Sequence, residues 1–245
     1  MKGKILLASL IIISLVAVAE ISALAKSSND IPRGFEDKGP LTKITFIHYK
    51  DSQARPAGAG KTKTAQCYGF LANGAKWKTT EDYYINPSDS DLGRSFVESA
   101  VNAGVTEWEN YGGNIFGKST VDSNIPYDDT KVDGNNVAAF GIYPDPNVIA
   151  IANVWGYFYG PPKTRELVEW DILFNTSFNW GDGAADPSLM DLQNIATHEL
   201  GHSAGMDDLY NTSCNLETMY GYSSEGEIIK RNLYNGDIAG IEALY

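Results

Sequence analysis

Two of the three histidines in the chain lie four residues apart, a spacing typical of metal ligands. His198 and His202 enclose Glu199-Leu200-Gly201. On an α-helix, residues four apart share one face with Cβ atoms about 5–6 Å apart, which suits two ligands of one small cation. Glu199 projects about 100° around the helix, so it is better placed to reach a metal-bound water than to bind the metal. The spacing therefore predicts a metal centre with an acid–base group beside it.

The residues after His202 offer a third ligand. Gly205 follows three residues later and Asp208 six residues later. A helix that ends on a glycine in the left-handed conformation turns the chain sharply, so Asp208 could present a carboxylate oxygen to the metal. Two histidines and one carboxylate leave the fourth zinc position for water, as in catalytic sites. His48 has no acid or histidine at ligand spacing, and we interpret it as an ordinary strand residue and only a distant candidate ligand.

The motif and the sequence after it resemble the metzincin metallopeptidases, and among them most closely the matrixins. Four positions match the first two zinc ligands, the general base and the turn glycine of that family: His198, His202, Glu199 and Gly205. Met219 matches the methionine turn beneath the metal, and residues 236–245 are similar to the matrixin C-terminal helix. Asp208 stands where most matrixins have a third histidine, although some metzincins have aspartate there.

The resemblance, which covers about 83–245, implies an α+β, zincin-like catalytic domain. This domain has a twisted five-stranded mixed sheet, two main helices and a small C-terminal subdomain with the methionine turn and a last helix. The resemblance also implies one catalytic zinc ion, held by His198, His202 and Asp208. Peptide hydrolysis would then use a zinc-activated water, with Glu199 taking its proton and passing it to the leaving amine.

The resemblance implies that residues 148–155 form the antiparallel edge strand above the cleft. A substrate peptide would add to this strand in extended form through backbone hydrogen bonds. Ala150 and Ala152 alternate with Ile149 and Ile151, which is consistent with one packed face and one face kept small beside the substrate. An ordinary half-buried strand would show the same alternation.

Two matrixin features are missing from the sequence. No histidine lies between residues 136 and 171 to hold a second, structural zinc ion. The latency motif Pro-Arg-Cys-Gly is also missing, because residues 32–34 read Pro-Arg-Gly without the thiol. Control by a cysteine-bound zymogen is therefore not supported, and the sequence leaves open whether residues 26–60 cover the cleft.

The remaining elements follow from the spacing of apolar residues and turn signals. Helices are predicted at about 91–110, 187–204 and 235–245, and β-like runs at 44–49, 77–86, 136–143, 148–158 and 166–174. Short connections between the last three runs favour antiparallel neighbours. Acidic loops at 128–129 and 182–186 could bind calcium, although neither fits the EF-hand spacing.

The N-terminus has the pattern of a secretory signal peptide. Lys2 and Lys4 precede an apolar run at 5–19, and Ala23-Leu24-Ala25 provides small residues before a cleavage site. A retained anchor is the alternative, but this run would rise about 22 Å as a helix, short of a ~30 Å hydrocarbon core. We therefore divide the chain into a signal peptide at 1–25, a loose N-terminal segment at 26–60 and a matrixin-like domain at 61–245.

The composition and the cysteines describe a globular, exported protein. The chain has 31 acidic and 19 basic residues, and its net charge of -12 repels nucleic-acid phosphates and anionic lipids. We expect a secreted monomer that acts on protein or peptide, with no nucleic-acid partner and no membrane association once the signal is removed. An even cysteine count in an exported chain favours a disulfide between Cys67 and Cys214. A thiolate metal ligand or two free buried thiols are the alternatives.

Two functions fit these features. The first is a secreted zinc endopeptidase, and the second is a non-catalytic secreted binding module that keeps the metzincin fold and zinc for structure. Glu199 favours the enzyme, because a structural zinc site needs no base and usually fills its fourth position with a protein ligand.

Overall fold

The structure, a computed structural model, describes residues 38–50 and 66–245. The predicted signal peptide at 1–25 and most of the segment at 26–60 lie outside these residues. The strands and α-helices, in chain order, are β1 (Leu41–Lys50), β2 (Glu81–Asn86), α1 (Arg94–Gly112), β3 (Phe116–Val121), β4 (Asn136–Gly141), β5 (Val148–Tyr157), β6 (Glu166–Asn175), β7 (Trp180–Gly181), β8 (Met190–Asp191), α2 (Leu192–Ala204), β9 (Tyr222–Ser223) and α3 (Asn235–Leu244).

A mixed sheet of seven strands forms the frame of the described region. Its order is β3-β2-β4-β6-β5-β1-β9. The strands β3, β2, β4 and β6 run parallel, whereas β5 is antiparallel to β6 and β1 is antiparallel to β5. This architecture confirms the expected α+β class and mixed sheet. The five β-like runs predicted from the sequence correspond to β1, β2, β4, β5 and β6, and β3 and β9 bring the sheet from the five strands expected to seven.

The sheet differs from the sequence prediction in its strand order and in the presence of β3. The antiparallel pairing expected of consecutive strands holds for β5 and β6, but β6 lies between β4 and β5. Strand β3 was not predicted, because Phe116–Val121 contains Gly117, Lys118, Ser119 and Thr120 and is only partly buried. The β-like run predicted at 44–49 forms part of β1, which lies within the segment at 26–60 that we described as loose and pairs along β5 in the same sheet.

The main core lies between the sheet and the two longer helices. Helix α1 packs against α2, and α2 packs against β5 and β6. The periodicity that predicted α1 is confirmed by its buried positions, which include Val97, Val101 and Trp108. Helix α2 begins at Leu192 rather than near 187, because the side chain of Asp191 accepts a hydrogen bond from the Asn194 amide and caps it. None of the helices within 38–50 and 66–245 combines the length and apolar character needed to cross a bilayer.

Cys67 and Cys214 form the predicted disulfide, with Cα atoms 5.4 Å apart and 147 residues between them in sequence. Closing so long a loop in the unfolded chain contributes about 5 kcal/mol of stability in the chain-entropy description. We therefore expect reduction to lower the thermal midpoint markedly, as followed by circular dichroism. Denatured, unreduced protein should show no titratable thiol, and two titratable thiols would contradict the pairing.

A buried carboxyl in β6 predicts how stability depends on pH. Asp171 accepts the Val137 amide at 3.0 Å, and burial, followed by the charges of Glu169 and Asp133, raises its pKa to about 9. The folded state therefore keeps a proton that the unfolded state releases above pH ~4, so stability falls as pH rises between about 4 and 9.

The replacement Asp171→Asn should remove this dependence. The slope that Asp171 contributes is at most about 1.4 kcal/mol per pH unit, and the asparagine oxygen can still accept the Val137 amide. Urea titrations of both proteins at pH 5, 7 and 9 measure the difference. An unchanged slope would show that Asp171 does not hold the proton.

Candidate metal centre

Helix α2 and the turn that ends it position the predicted metal ligands. His198 and His202 project from the buried face of the helix, and neither side chain is open to solvent. The helix ends at Gly205, whose φ of 107° lies in the left-handed region that favours glycine. Beyond this turn the chain brings Asp208 back beside both rings. The structure thus places together the three residues that the sequence singled out.

Gly201, between the two histidines, permits a close approach from below. A Cβ atom at this position would lie 2.2 Å from Sδ of Met219 and 2.5 Å from Cζ2 of Trp108. No side chain other than hydrogen fits there without displacing both neighbours. Met219 is fully buried, and its amide donates to Oδ1 of Asp237 at 3.1 Å. The methionine predicted to lie beneath the metal therefore packs against the helix segment that carries both histidines.

The outer nitrogen of each ring fixes which nitrogen is available to a metal. Nδ1 of His198 lies 2.7 Å from the Thr218 carbonyl oxygen, and Nδ1 of His202 lies 3.0 Å from the Met206 carbonyl oxygen. A carbonyl oxygen only accepts, so each Nδ1 carries the hydrogen and each neutral ring presents a lone pair at Nε2. This arrangement is typical of metal-binding histidines.

Three electron-pair donors then converge on one point. The two Nε2 atoms lie 3.2 Å apart, and Oδ1 of Asp208 lies 3.3 Å from Nε2 of His198 and 3.4 Å from that of His202. Ligands of a tetrahedral zinc ion at 2.0–2.1 Å are separated by about 3.3–3.4 Å. Oδ1 of Asp208 is buried and has no hydrogen-bond donor among the described residues. The residues present therefore fit a zinc ion.

Asp208 is held as an acceptor by its surroundings. Its Oδ2 accepts the hydroxyl of Tyr210 at 2.8 Å, which directs Oδ1 to the two rings. The neighbouring Asp207 is directed elsewhere, since its Oδ1 accepts the amide of Asp208 at 3.0 Å.

Glu199 lies beside the centre and does not belong to this ligand set. Its Oε1 is 3.0 Å from Nδ1 of His48, and its Oε2 is buried without a hydrogen-bond partner among the described residues. Burial raises the pKa of this carboxyl to about 8. A second set of metal-binding types, His48, His198 and Glu199, also lies within 4.8 Å. We favour the set with Asp208, because its three donor atoms have tetrahedral separations.

The structure brings His48 into the centre, contrary to our interpretation of it as an ordinary strand residue. Its ring centroid lies 4.0 Å from that of His198, and its Nε2 lies 3.1 Å from Oγ of Ser223. All three histidines of the chain therefore meet. The sequence held one faint signal, since Phe46 and His48 lie two residues apart in a β-like run and share one strand face.

Strand β5 is antiparallel to β6, as expected, but it is not an edge. Strand β1 covers its outer side, so Ala150 is paired with His48 and Ala152 with Phe46. Side chains of directly paired residues point to the same face. Both alanines are fully buried, and their small size leaves room for the two rings over the centre. In this structure the small side chains of β5 are therefore neighbours of Phe46 and His48 in β1.

The acidic loops show no calcium-type cluster. Asp182 forms an ion pair with Arg231, and Asp186 accepts the amide of Ser188. At 128–129, Asp128 accepts the amide and hydroxyl of Thr130. Within 38–50 and 66–245, the only groups of three converging metal-binding side chains are the two that contain His198. The structure gives no support to a calcium site.

The fold and the centre together have the features of a metzincin catalytic domain. A mixed sheet supports a helix with two histidines, and a left-handed glycine turn leads to the third donor above a buried methionine. Comparison with known proteins agrees with this class. Residues 152–245 match the family model described as Matrixin.

One curated relative has similarity to most of the chain. Karilysin of Tannerella forsythia is 28% identical over 184 residues, which cover 72% of this chain. The matched part is 34% of the length of karilysin, so the chain spans about a third of that relative. These similarities support a matrixin-like metzincin.

Proposed function

We propose that the protein is a zinc-dependent endopeptidase in which His198, His202 and Asp208 hold the metal. The observation that carries this proposal is the convergence of three electron-pair donors at tetrahedral separations. A bound zinc ion would supply Lewis acidity, which polarises a carbonyl group and acidifies a water molecule. The chain would supply the proton transfers and the orientation of the peptide.

Glu199 is the group suited to the proton transfers. It lies one residue from His198 on the helix, yet it is outside the ligand set and has one carboxylate oxygen without a partner. A carboxyl with its pKa raised by burial takes a proton from water more readily than an exposed one, and returns it to the leaving amine. A zinc-activated water and Glu199 would together account for the nucleophile and both proton transfers of peptide hydrolysis. No covalent enzyme intermediate is then needed.

The substrate class follows from the sheet beside the centre. The outer side of β5 and the facing side of β9 offer unpaired backbone groups to an extended strand when β1 is not between them. An extended peptide would use the same hydrogen bonds. Small side chains at Ala150 and Ala152 would keep its backbone close to the centre. The substrate is thus a protein or peptide.

The non-catalytic binding module is the competing function. A binding module needs only a structural zinc site, in which all four ligands are usually protein groups. Such a module gives no role to Glu199, a buried glutamate with one unpartnered oxygen beside the three zinc ligands. The disulfide agrees with action outside the cell, because such bonds persist in oxidising compartments. We therefore propose a secreted, monomeric enzyme without nucleic-acid or membrane partners.

Digestion of fluorescently labelled casein tests the proposed function. The wild-type chain and the double variant Phe46→Ala, His48→Ala are each assayed with zinc, after a chelator, and after zinc is restored. We expect cleavage that chelation stops and zinc restores. If both proteins bind one zinc ion and leave casein intact, the binding module is favoured instead.

A further inference from the structure

Strand β1 fills the groove beside the metal centre along its length. Its pairing with β5 runs antiparallel from Leu41 opposite Tyr157 to Tyr49 opposite Val148. Its last two residues pair in parallel with Tyr222 and Ser223 of β9. The strand thus lies between two backbone edges, as an added peptide strand would.

The side chains that β1 turns toward the centre close it. The ring of Phe46 stacks on His202, with centroids 3.8 Å apart and planes 8° from parallel. His48 occupies the space between Glu199 and Ser223, with one ring nitrogen 3.0 Å from Oε1 and the other 3.1 Å from Oγ. As a result, His198, Glu199 and His202 are at most 1% exposed. A peptide cannot reach these groups while β1 is in place.

We propose that Leu41–Lys50 is a built-in occupant of the peptide groove that keeps the centre inactive until it is displaced. This regulation rests on the proposed peptidase function. The strand blocks the site in two ways. Its backbone takes the positions that a substrate would use, and His48 contacts the Glu199 carboxylate that would accept the proton. The inhibition is independent of a cysteine.

Covalent linkage strengthens this obstruction. A segment of the same chain rebinds at an effective concentration that reaches about millimolar for linked binding sites, so a free peptide at micromolar concentration competes poorly. The contacts of β1 are uneven, however. Phe46 and His48 are buried, whereas Lys43 and Thr45 on the opposite face are exposed. Loss of the two buried rings should therefore release the strand without disturbing the rest of the core.

Hydrogen exchange and peptide cleavage on the full chain test the proposal together. The double variant Phe46→Ala, His48→Ala removes both rings, and Leu41→Ala is the matched control, because Leu41 lies at the far end of β1 and is 42% exposed. We expect exchange in 41–50 and in β5 to accelerate at least tenfold in the double variant. Its cleavage of a quenched fluorescent peptide should also rise at least tenfold, and the control should behave as wild type.

The outcomes separate this inference from the proposed function. If wild type cleaves the peptide as fast as the double variant while 41–50 stays protected, the inhibition is overturned and the peptidase stands. If the double variant exchanges freely, binds zinc and cleaves nothing, the peptidase proposal fails, whereas the exchange data still establish β1 as the groove occupant.

A cross-link gives a second test that does not depend on weakening the fold. Thr45 and Asn153 are directly paired, with Oγ1 and Oδ1 2.6 Å apart, on the face away from the centre. Paired residues have Cα atoms about 4.5–5.5 Å apart, within disulfide range. We expect Thr45→Cys with Asn153→Cys to lose at least tenfold in cleavage when oxidised and to regain it on mild reduction. Wild type treated identically is the control, and cleavage at wild-type rate by the cross-linked protein overturns the proposal.

Discussion

The Glu199→Gln variant is expected to lose two to four orders of magnitude in peptide turnover while it keeps a full complement of zinc. The loss of about 10²–10⁴ is the usual contribution of a general acid–base group. Glutamine keeps the size and one acceptor oxygen of glutamate, so the contact with His48 and the packing of α2 should persist. Steady-state kinetics and zinc analysis of the same preparation check both halves of this expectation.

A matched control distinguishes chemistry from packing. Glu107 of α1 accepts the Leu233 amide at 3.0 Å and lies outside the metal centre. The replacement Glu107→Gln should therefore leave both turnover and zinc content close to wild type. Near-normal turnover by Glu199→Gln would remove Glu199 from the proposed reaction.

Loss of Asp208 should abolish stable zinc binding. Its Oδ1 is the donor that lies near both Nε2 atoms, so Asp208→Ala leaves only two ligands, whereas Asp207→Ala leaves all three. Asp208→His should retain measurable zinc, because imidazole is also a zinc ligand. The variant Tyr210→Phe removes only the hydrogen bond to Oδ2 and should weaken zinc binding by about 10–100-fold, as is usual for partners of a ligand.

Competition with a chromophoric chelator ranks these variants. The expected order of zinc affinity is wild type and Asp207→Ala first, Tyr210→Phe next, and Asp208→Ala last. Full zinc occupancy in Asp208→Ala would place the third ligand elsewhere, and His48 would then be the next residue to replace.

The part of the centre built from local geometry was predictable from sequence. Helix periodicity places His198 and His202 on one face, and the left-handed preference of glycine at Gly205 reverses the chain over a few residues. The disulfide followed from an even count of cysteines. These features depend on contacts between residues that are near in sequence or on a choice among very few candidates.

The features that sequence analysis missed depend on non-local pairing. His48 reaches Glu199 only because β1 pairs with β5, about a hundred residues further along the chain. The alternation of Ala150 with isoleucine predicted a small face, but it could not show what would cover that face. Strand β3 is polar and half-buried, so it lacks the apolar pattern on which strand prediction depends.

Zinc X-ray absorption on the metal-loaded full chain tests most directly the central claim, that His198, His202 and Asp208 form one zinc centre. We predict nitrogen and oxygen ligands at about 2.0–2.1 Å, with scattering from two imidazole rings, or from three if His48 also binds. The Asp208→Ala variant should bind too little zinc to give this absorption signal. A spectrum with sulfur at about 2.3 Å, or without imidazole scattering, would contradict the account.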